Sequence, residues 1–159
     1  MKSNMESRFT QNLMSDINNS TINPKLRTYK IFKFEHRLEP YLIILHNKKY
    51  QRYIAQFRVS SHKLGIEVGR YQKPPIPLKE RLCKHCPGDN LDDELHLLTE
   101  CSFNIYERQQ LFISAIKYIA DFNSLDKYGI FKEILSSDIV DVLEALGRFL
   151  YISFTKRNA

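Results

Sequence analysis

The sequence predicts a mostly α-helical fold, a small helical domain that carries a Cys-Cys-His-Cys zinc knuckle. Three observations lead there. Apolar residues recur at three- and four-residue intervals, most cleanly at Ile139, Val142, Leu143, Leu146, Phe149 and Leu150. No alternation of apolar and polar residues runs long enough to read as a strand. All three cysteines fall with one histidine in one window, Cys83-x2-Cys86-x9-His96-x4-Cys101. At 159 residues the chain fits one domain with a real core, and 43% apolar and 26% charged residues are ordinary for a globular protein.

Four stretches follow in order: a weakly structured segment over 1–23, a basic helical region over 24–82, the knuckle over 83–101, and helices over 102–159 that pack with the preceding region as one domain. Phe9, Leu13 and Ile17 at four-residue spacing predict a short amphipathic helix before the polar run Asn18 to Asn23. Pro24 suits the first turn of the next helix, whose segment Leu26 to Phe34 mixes cations with aromatic rings. Pro40 opens a short helix to Leu45. Lys48 to Val59 sets Tyr50, Tyr53, Ile54 and Phe57 on one face. Between Ser60 and Pro77 the periodicity stops at Gly65, Gly69 and the run Pro74-Pro75-Ile76-Pro77, an irregular connection.

Past Cys86, the cluster Pro87-Gly88-Asp89-Asn90 is a turn, and Asn90 or Asp92 is placed to cap a helix holding Leu95, His96 and Leu98. Asp92, Asp93 and Glu94 then form a charged first turn that complements the helix dipole. Ser102 caps a helix over Phe103 to Asp121 with Ile105, Phe112, Ile116 and Ile119 as its buried stripe. A short helix covers Leu125 to Leu135. The last begins near Ser137 or Asp138, and Gly147 within it costs about 1 kcal/mol of helix propensity, which implies close packing. Lys156 and Arg157 complement the carboxyl end of its dipole.

Three thiolates and an imidazole are the soft donors of a tetrahedral Zn²⁺ site, two clamping from each of two local turns. Cys83 and Cys86 flank Lys84 and His85, which are not core residues, and Pro87-Gly88 supplies the tight turn of a zinc hairpin. His85 is excluded as a ligand because it adjoins Cys86 and would strain the loop. Asp92-Asp93-Glu94 has no partner carboxylate motif that would make it a Mg²⁺ site. A Tyr-x-Asp-Asp signature, a phosphate-binding glycine loop, a Gly-x-Ser-x-Gly elbow and a His-Glu-x-x-His stretch are all missing, so no complete active site is legible.

Charge is uneven along the chain. Residues 1–82 carry 16 Lys and Arg against 6 Asp and Glu, a balance of +10, while residues 83–159 carry 8 against 12, a balance of −4. One reading is a polyanion-facing half; the other is solvated helix faces that differ in charge. The stretch Arg58 to Tyr71 has the same two readings. Arg58, Lys63 and Arg70 bind phosphate, or Glu67 neutralises an arginine in a polar network that fixes the loop. The first thirty residues hold no apolar signal-peptide core and no stretch is long enough to span a bilayer. The expectation is an intracellular protein, nuclear or cytoplasmic, with no membrane partner and with reduced cysteines.

Taken together, several segments resemble the C-terminal zinc-binding tail of non-LTR retrotransposon reverse transcriptases, of the invertebrate type. They are Lys25-Leu26-Arg27-Thr28-Tyr29-Lys30, then Phe57-Arg58-x-Ser60-Ser61-His62-x-Leu64-x-Ile66-Glu67-x-Gly69-Arg70-Tyr71, Arg81-Leu82-Cys83-x-x-Cys86 and Asp93-Glu94-x-His96-x-Leu98-x-x-Cys101. The resemblance covers roughly residues 25–155. It implies that Cys83, Cys86, His96 and Cys101 are the zinc ligands and that the segment helps hold RNA template and target DNA. The fingers, palm, catalytic aspartates and endonuclease of that family have no counterpart here. The resemblance therefore implies a detached tail, whether an element fragment, a decayed element or a host-retained domain, and no polymerase activity.

The expected function is a non-catalytic, zinc-stabilised nucleic-acid-binding domain. Lys25, Arg27, Lys30, Arg58, Lys63 and Arg70 would contact the phosphates of RNA or DNA. The competing expectation is a protein–protein module that docks on a reverse transcriptase core. A hydrolytic zinc enzyme fits poorly, because four protein ligands leave no open coordination position.

Overall fold

The computed structural model describes residues 24–33 and 37–158, with residues 8, 10–12, 14–16 and 19 of the N-terminal segment. The helix expected from Phe9, Leu13 and Ile17 rests on residues outside the described ones, as does Phe34. Helices occupy most of the described chain: α1 (Tyr29–Phe32), α2 (Pro40–Ile44), α3 (Lys48–Arg58), α4 (Gly65–Val68), α5 (Glu94–Thr99), α6 (Ile105–Ile116), α7 (Lys127–Ser136) and α8 (Val140–Arg157). The described residues contain no strand, only an isolated antiparallel bridge between Leu82 and Leu91.

The spine is α8. Its apolar stripe buries Val142, Leu143, Leu146, Phe149 and Leu150 as the periodicity predicts, and extends to Phe154. Each such side chain contributes roughly 1.5–3 kcal/mol when fully removed from water. Helices α3 and α6 pack along it. Asn47 starts α3, its side-chain oxygen accepting from the N–H groups of Lys49 and Tyr50 at 3.0 and 3.3 Å. Ile54 and Phe57 then face α8 in the core, with Tyr50 and Tyr53 half-buried beside them. A Cβ on Gly147 would lie 2.4 Å from the Cβ of Tyr50, closer than side chains approach. The two helices meet at this closeness because position 147 has no side chain.

The expected stripe of α6 needs correction. Its core side is Arg108, Leu111 and Ala115, while Ile105 and Ile116 are exposed and Phe112 and Ile119 only flank the core. The helix is also shorter than expected: a 3-10 turn over Ser102–Asn104 precedes it, and it stops at Ile116. Arg108 donates to the Cys101 carbonyl oxygen at 2.6 Å, and that anchor turns its face inward in place of the isoleucines.

Arg58 at the end of α3 is 2% exposed. Its guanidinium lies 4.6 Å from the Phe32 ring centre and 4.7 Å from that of Tyr41, and donates to Glu39 and to the Leu135 carbonyl oxygen. Lys33 also donates to Glu39, and the Tyr29 hydroxyl does so at 2.8 Å. This cluster ties α1, α2, α3 and α7 together. Burial alone would raise the Glu39 pKa, but Lys33, Arg58 and Tyr29 more than offset it and hold the group below its ordinary 4.5. A carboxylate with a depressed folded pKa adds stability that is complete above the unfolded value and fades as pH falls through the folded one. Urea midpoints are therefore expected to drop once pH goes below about 4.5, and Glu39→Gln should flatten that drop. An acid limb of equal steepness in Glu39→Gln would contradict the assignment.

Candidate metal centre

Leu82 and Leu91 bring the two arms of the cysteine loop together. The Cys83 N–H donates to Asn90 O at 2.8 Å and the Asp92 N–H to Arg81 O at 2.9 Å. Gly88, with φ +100, carries the reversal in the left-handed region that favours glycine. Asp93 caps α5, its carboxylate accepting from the His96 N–H at 2.8 Å, where the sequence suggests Asn90 or Asp92. After α5, the N–H groups of Glu100 and Cys101 both donate to His96 O, at 3.0 and 2.8 Å, which folds Cys101 back toward the histidine.

One donor atom from each of Cys83, Cys86, His96 and Cys101 lies within 4.8 Å of the others. No disulfide joins the cysteines. Cys83 Sγ is 3.9 Å from Cys101 Sγ, and Cys86 Sγ is 3.2 Å from His96 Nε2. A tetrahedral site with metal–donor bonds of about 2.0–2.3 Å has edges of roughly 3.5–3.8 Å. The four residues therefore fit a four-coordinate metal ion. His96 Nδ1, buried and without a hydrogen-bond partner among the described residues, lies 3.8 Å from a Glu100 carboxylate oxygen. With Nε2 on a metal, Nδ1 carries the proton, and the Glu100 carboxylate would have to close on it to accept a hydrogen bond that fixes the ring.

Electrostatics favour a cation here. Burial raises the Cys86 pKa, and with the adjacent Cys83 and Cys101 it pushes the thiol up to about 12. A positive ion among the sulfurs would offset what holds the proton on Cys86. At Cys101 burial also opposes ionisation, but His96, the Phe103 N–H and Arg157 outweigh it and bring the thiol down to about 6. Arg157, in the last turn of α8, donates to Cys101 Sγ at 3.2 Å and Cys83 Sγ at 3.5 Å, and to Asp92 at 2.7 Å. Sequence reasoning gives Arg157 only to the helix dipole. No local pattern could have shown that it reaches back 56 residues to Cys101. His85 stays outside the cluster, exposed, with its ring 4.9 Å from that of Phe103.

The acidic triplet is not a simple charged first turn. Asp92 precedes α5, is buried, and accepts from the Gly65 N–H at 2.7 Å as well as from Arg157. Glu94, also buried, takes Arg27 at 2.7 and 3.0 Å, the Ser60 hydroxyl at 2.6 Å and His62 Nε2 at 2.7 Å. Burial opposes ionisation of Glu94, yet His62, Arg27 and Ser60 hold its pKa down at about 2. These carboxylates face protein cations, which fastens the cysteine loop to α4 and to the segment around Arg27.

The six cations expected at nucleic acid separate into three groups. Arg58 must be withdrawn, because its buried guanidinium is committed to Glu39, Leu135 and two rings and leaves no face for phosphate. Arg27 and Arg70 share Glu67, so the polar-network reading of the Arg58 to Tyr71 stretch holds for them. Lys25 and Lys63 are exposed and line one groove; Lys30, half-buried on α1, does not line it. No family model matches this chain, nor does any curated protein or solved structure. No helix among the described residues is long and apolar enough to cross a membrane.

Proposed function

We propose that this chain is a non-catalytic nucleic-acid-binding domain held together by one structural Zn²⁺ on Cys83, Cys86, His96 and Cys101. The observation that carries the reading is the closed set of four converging donors. Thiolate-rich tetrahedral donors suit zinc, and four protein ligands leave no position for a reacting water. With Zn²⁺ bound, three thiolates and a neutral imidazole sum to one negative charge, which Arg157 balances from α8. The +10 balance of residues 1–82 supports a polyanionic partner, RNA or DNA. The likeness of the cysteine loop and its flanks to a retrotransposon reverse transcriptase tail supports the same partner class.

A second reading, docking on a polymerase core, is favoured by the exposed apolar side chains of Leu38, Leu42 and Ile43 around α2. A salt titration separates the two. The zinc-loaded chain is expected to bind structured RNA, single strands or duplex with an affinity that falls steeply between about 50 and 200 mM salt, because phosphate contacts release counterions. Absence of salt-sensitive binding to all three polymers would overturn the nucleic-acid reading and favour docking.

A further inference from the structure

The nucleic-acid reading leaves open where the polymer sits, and the cations picked from the sequence do not answer it. A groove of about 390 Å³ runs between the outer side of α3, the turn after it, the end of α4 and the end of α8. Three exposed cations from distant parts of the chain converge on it: Lys25, Arg52 and Lys63. Its one carboxylate, Glu67, is already paired with Arg27 and Arg70, so the field at the groove stays positive.

At one end stands Tyr71, 66% exposed. Lys25 Nζ lies 5.8 Å and the Arg70 guanidinium 6.0 Å from its ring centre. A large ring left this open contributes little to folding, yet it offers a flat face beside two positive groups. That pairing suits a nucleotide, with the base on the ring and the phosphate on a cation. Gln56, Ser61 and Asn158 add uncharged donors and acceptors along the same groove.

We infer that this groove is the seat of a single-stranded nucleic acid, with Lys25, Arg52 and Lys63 on its phosphates and Tyr71 under a base. The inference rests on the nucleic-acid reading and names its site. A duplex keeps its bases stacked inside and has none to offer the Tyr71 ring, whereas a single strand turns bases outward. Position of the cations, not their number, separates this site from the rest of the basic half.

The test is fluorescence anisotropy of the full zinc-loaded chain with a labelled single-stranded oligoribonucleotide, the oligodeoxyribonucleotide of the same sequence, and the DNA duplex. Variants are Arg52→Ala, Lys63→Ala, Tyr71→Leu and Tyr71→Phe, with Lys117→Ala, an exposed lysine that does not line this groove, as control. All alter exposed residues, and unchanged thermal midpoints verify the fold. Single strands are expected to bind more tightly than duplex. Arg52→Ala and Lys63→Ala should each reduce the salt slope by about 0.7, the value for one single-strand phosphate. Tyr71→Leu should weaken binding about tenfold while Tyr71→Phe restores it, as expected for a lost base stack. If the chain binds with salt sensitivity but these variants bind like Lys117→Ala, the groove is wrong and the general function stands. Preference for duplex overturns the single-strand assignment, and no binding to any of these polymers, nor to structured RNA, overturns both.

Discussion

Arg58→Ala is expected to destabilise the domain by about 3–5 kcal/mol, the usual cost of removing one partner from a buried ion pair. The substitution leaves Glu39 with only Lys33 and the Tyr29 hydroxyl, strips the Leu135 carbonyl oxygen of its donor, and opens a void between the Phe32 and Tyr41 rings. Arg58→Met should cost less, since a methionine refills the space between the rings. The Glu39 acid limb should shrink in both variants, because Arg58 is one of the groups that hold that carboxyl down. Chemical unfolding at pH 7 and pH 4 checks all three statements. An Arg58→Ala chain as stable as wild type would contradict the structural role given to this residue.

Metal removal is expected to have a comparable or larger effect. Structural zinc contributes folding free energy directly, and losing about 4 kcal/mol would lower the midpoint of a chain this size by about 10 °C. Loosening should begin at the loop from Leu78 to Phe103 and reach the last turn of α8 through Arg157, which spans Cys83, Cys101 and Asp92. The centres of α3 and α8 have a shared apolar interface of their own and should protect their amides longest. Hydrogen exchange after addition of a chelator reads this order. A uniform rise along the whole chain would contradict it, and so would no change at the last turn of α8.

The helical class, α3 and α8 were legible because their apolar residues repeat with helical spacing. So was the ligand window, because cysteine and histidine spacing is a local signal. What remained hidden is carried by charges that pair across the chain. Arg58 reads as a surface cation between Phe57 and Val59, yet two rings and Glu39 enclose it. Asp92 and Glu94 read as a charged first turn, yet Arg157 and Arg27 reach them from 65 and 67 residues away. The stripe of α6 was misplaced for the same reason: Arg108 occupies the inward position through a bond to the Cys101 backbone, and periodicity scores only apolar residues. Arg52 and Tyr71, in turn, gain meaning only once the fold sets them beside Lys25 and Lys63.

Mass spectrometry under native conditions is the most direct test of one zinc ion held by Cys83, Cys86, His96 and Cys101. The purified chain should carry one Zn²⁺, Cys86→Ser should lose it, and His85→Ala should keep it, because the His85 ring packs on Phe103 and lies outside the donor cluster. A Cys86→Ser chain with full zinc occupancy, or a wild-type chain that takes up no zinc when it is supplied, would contradict the account.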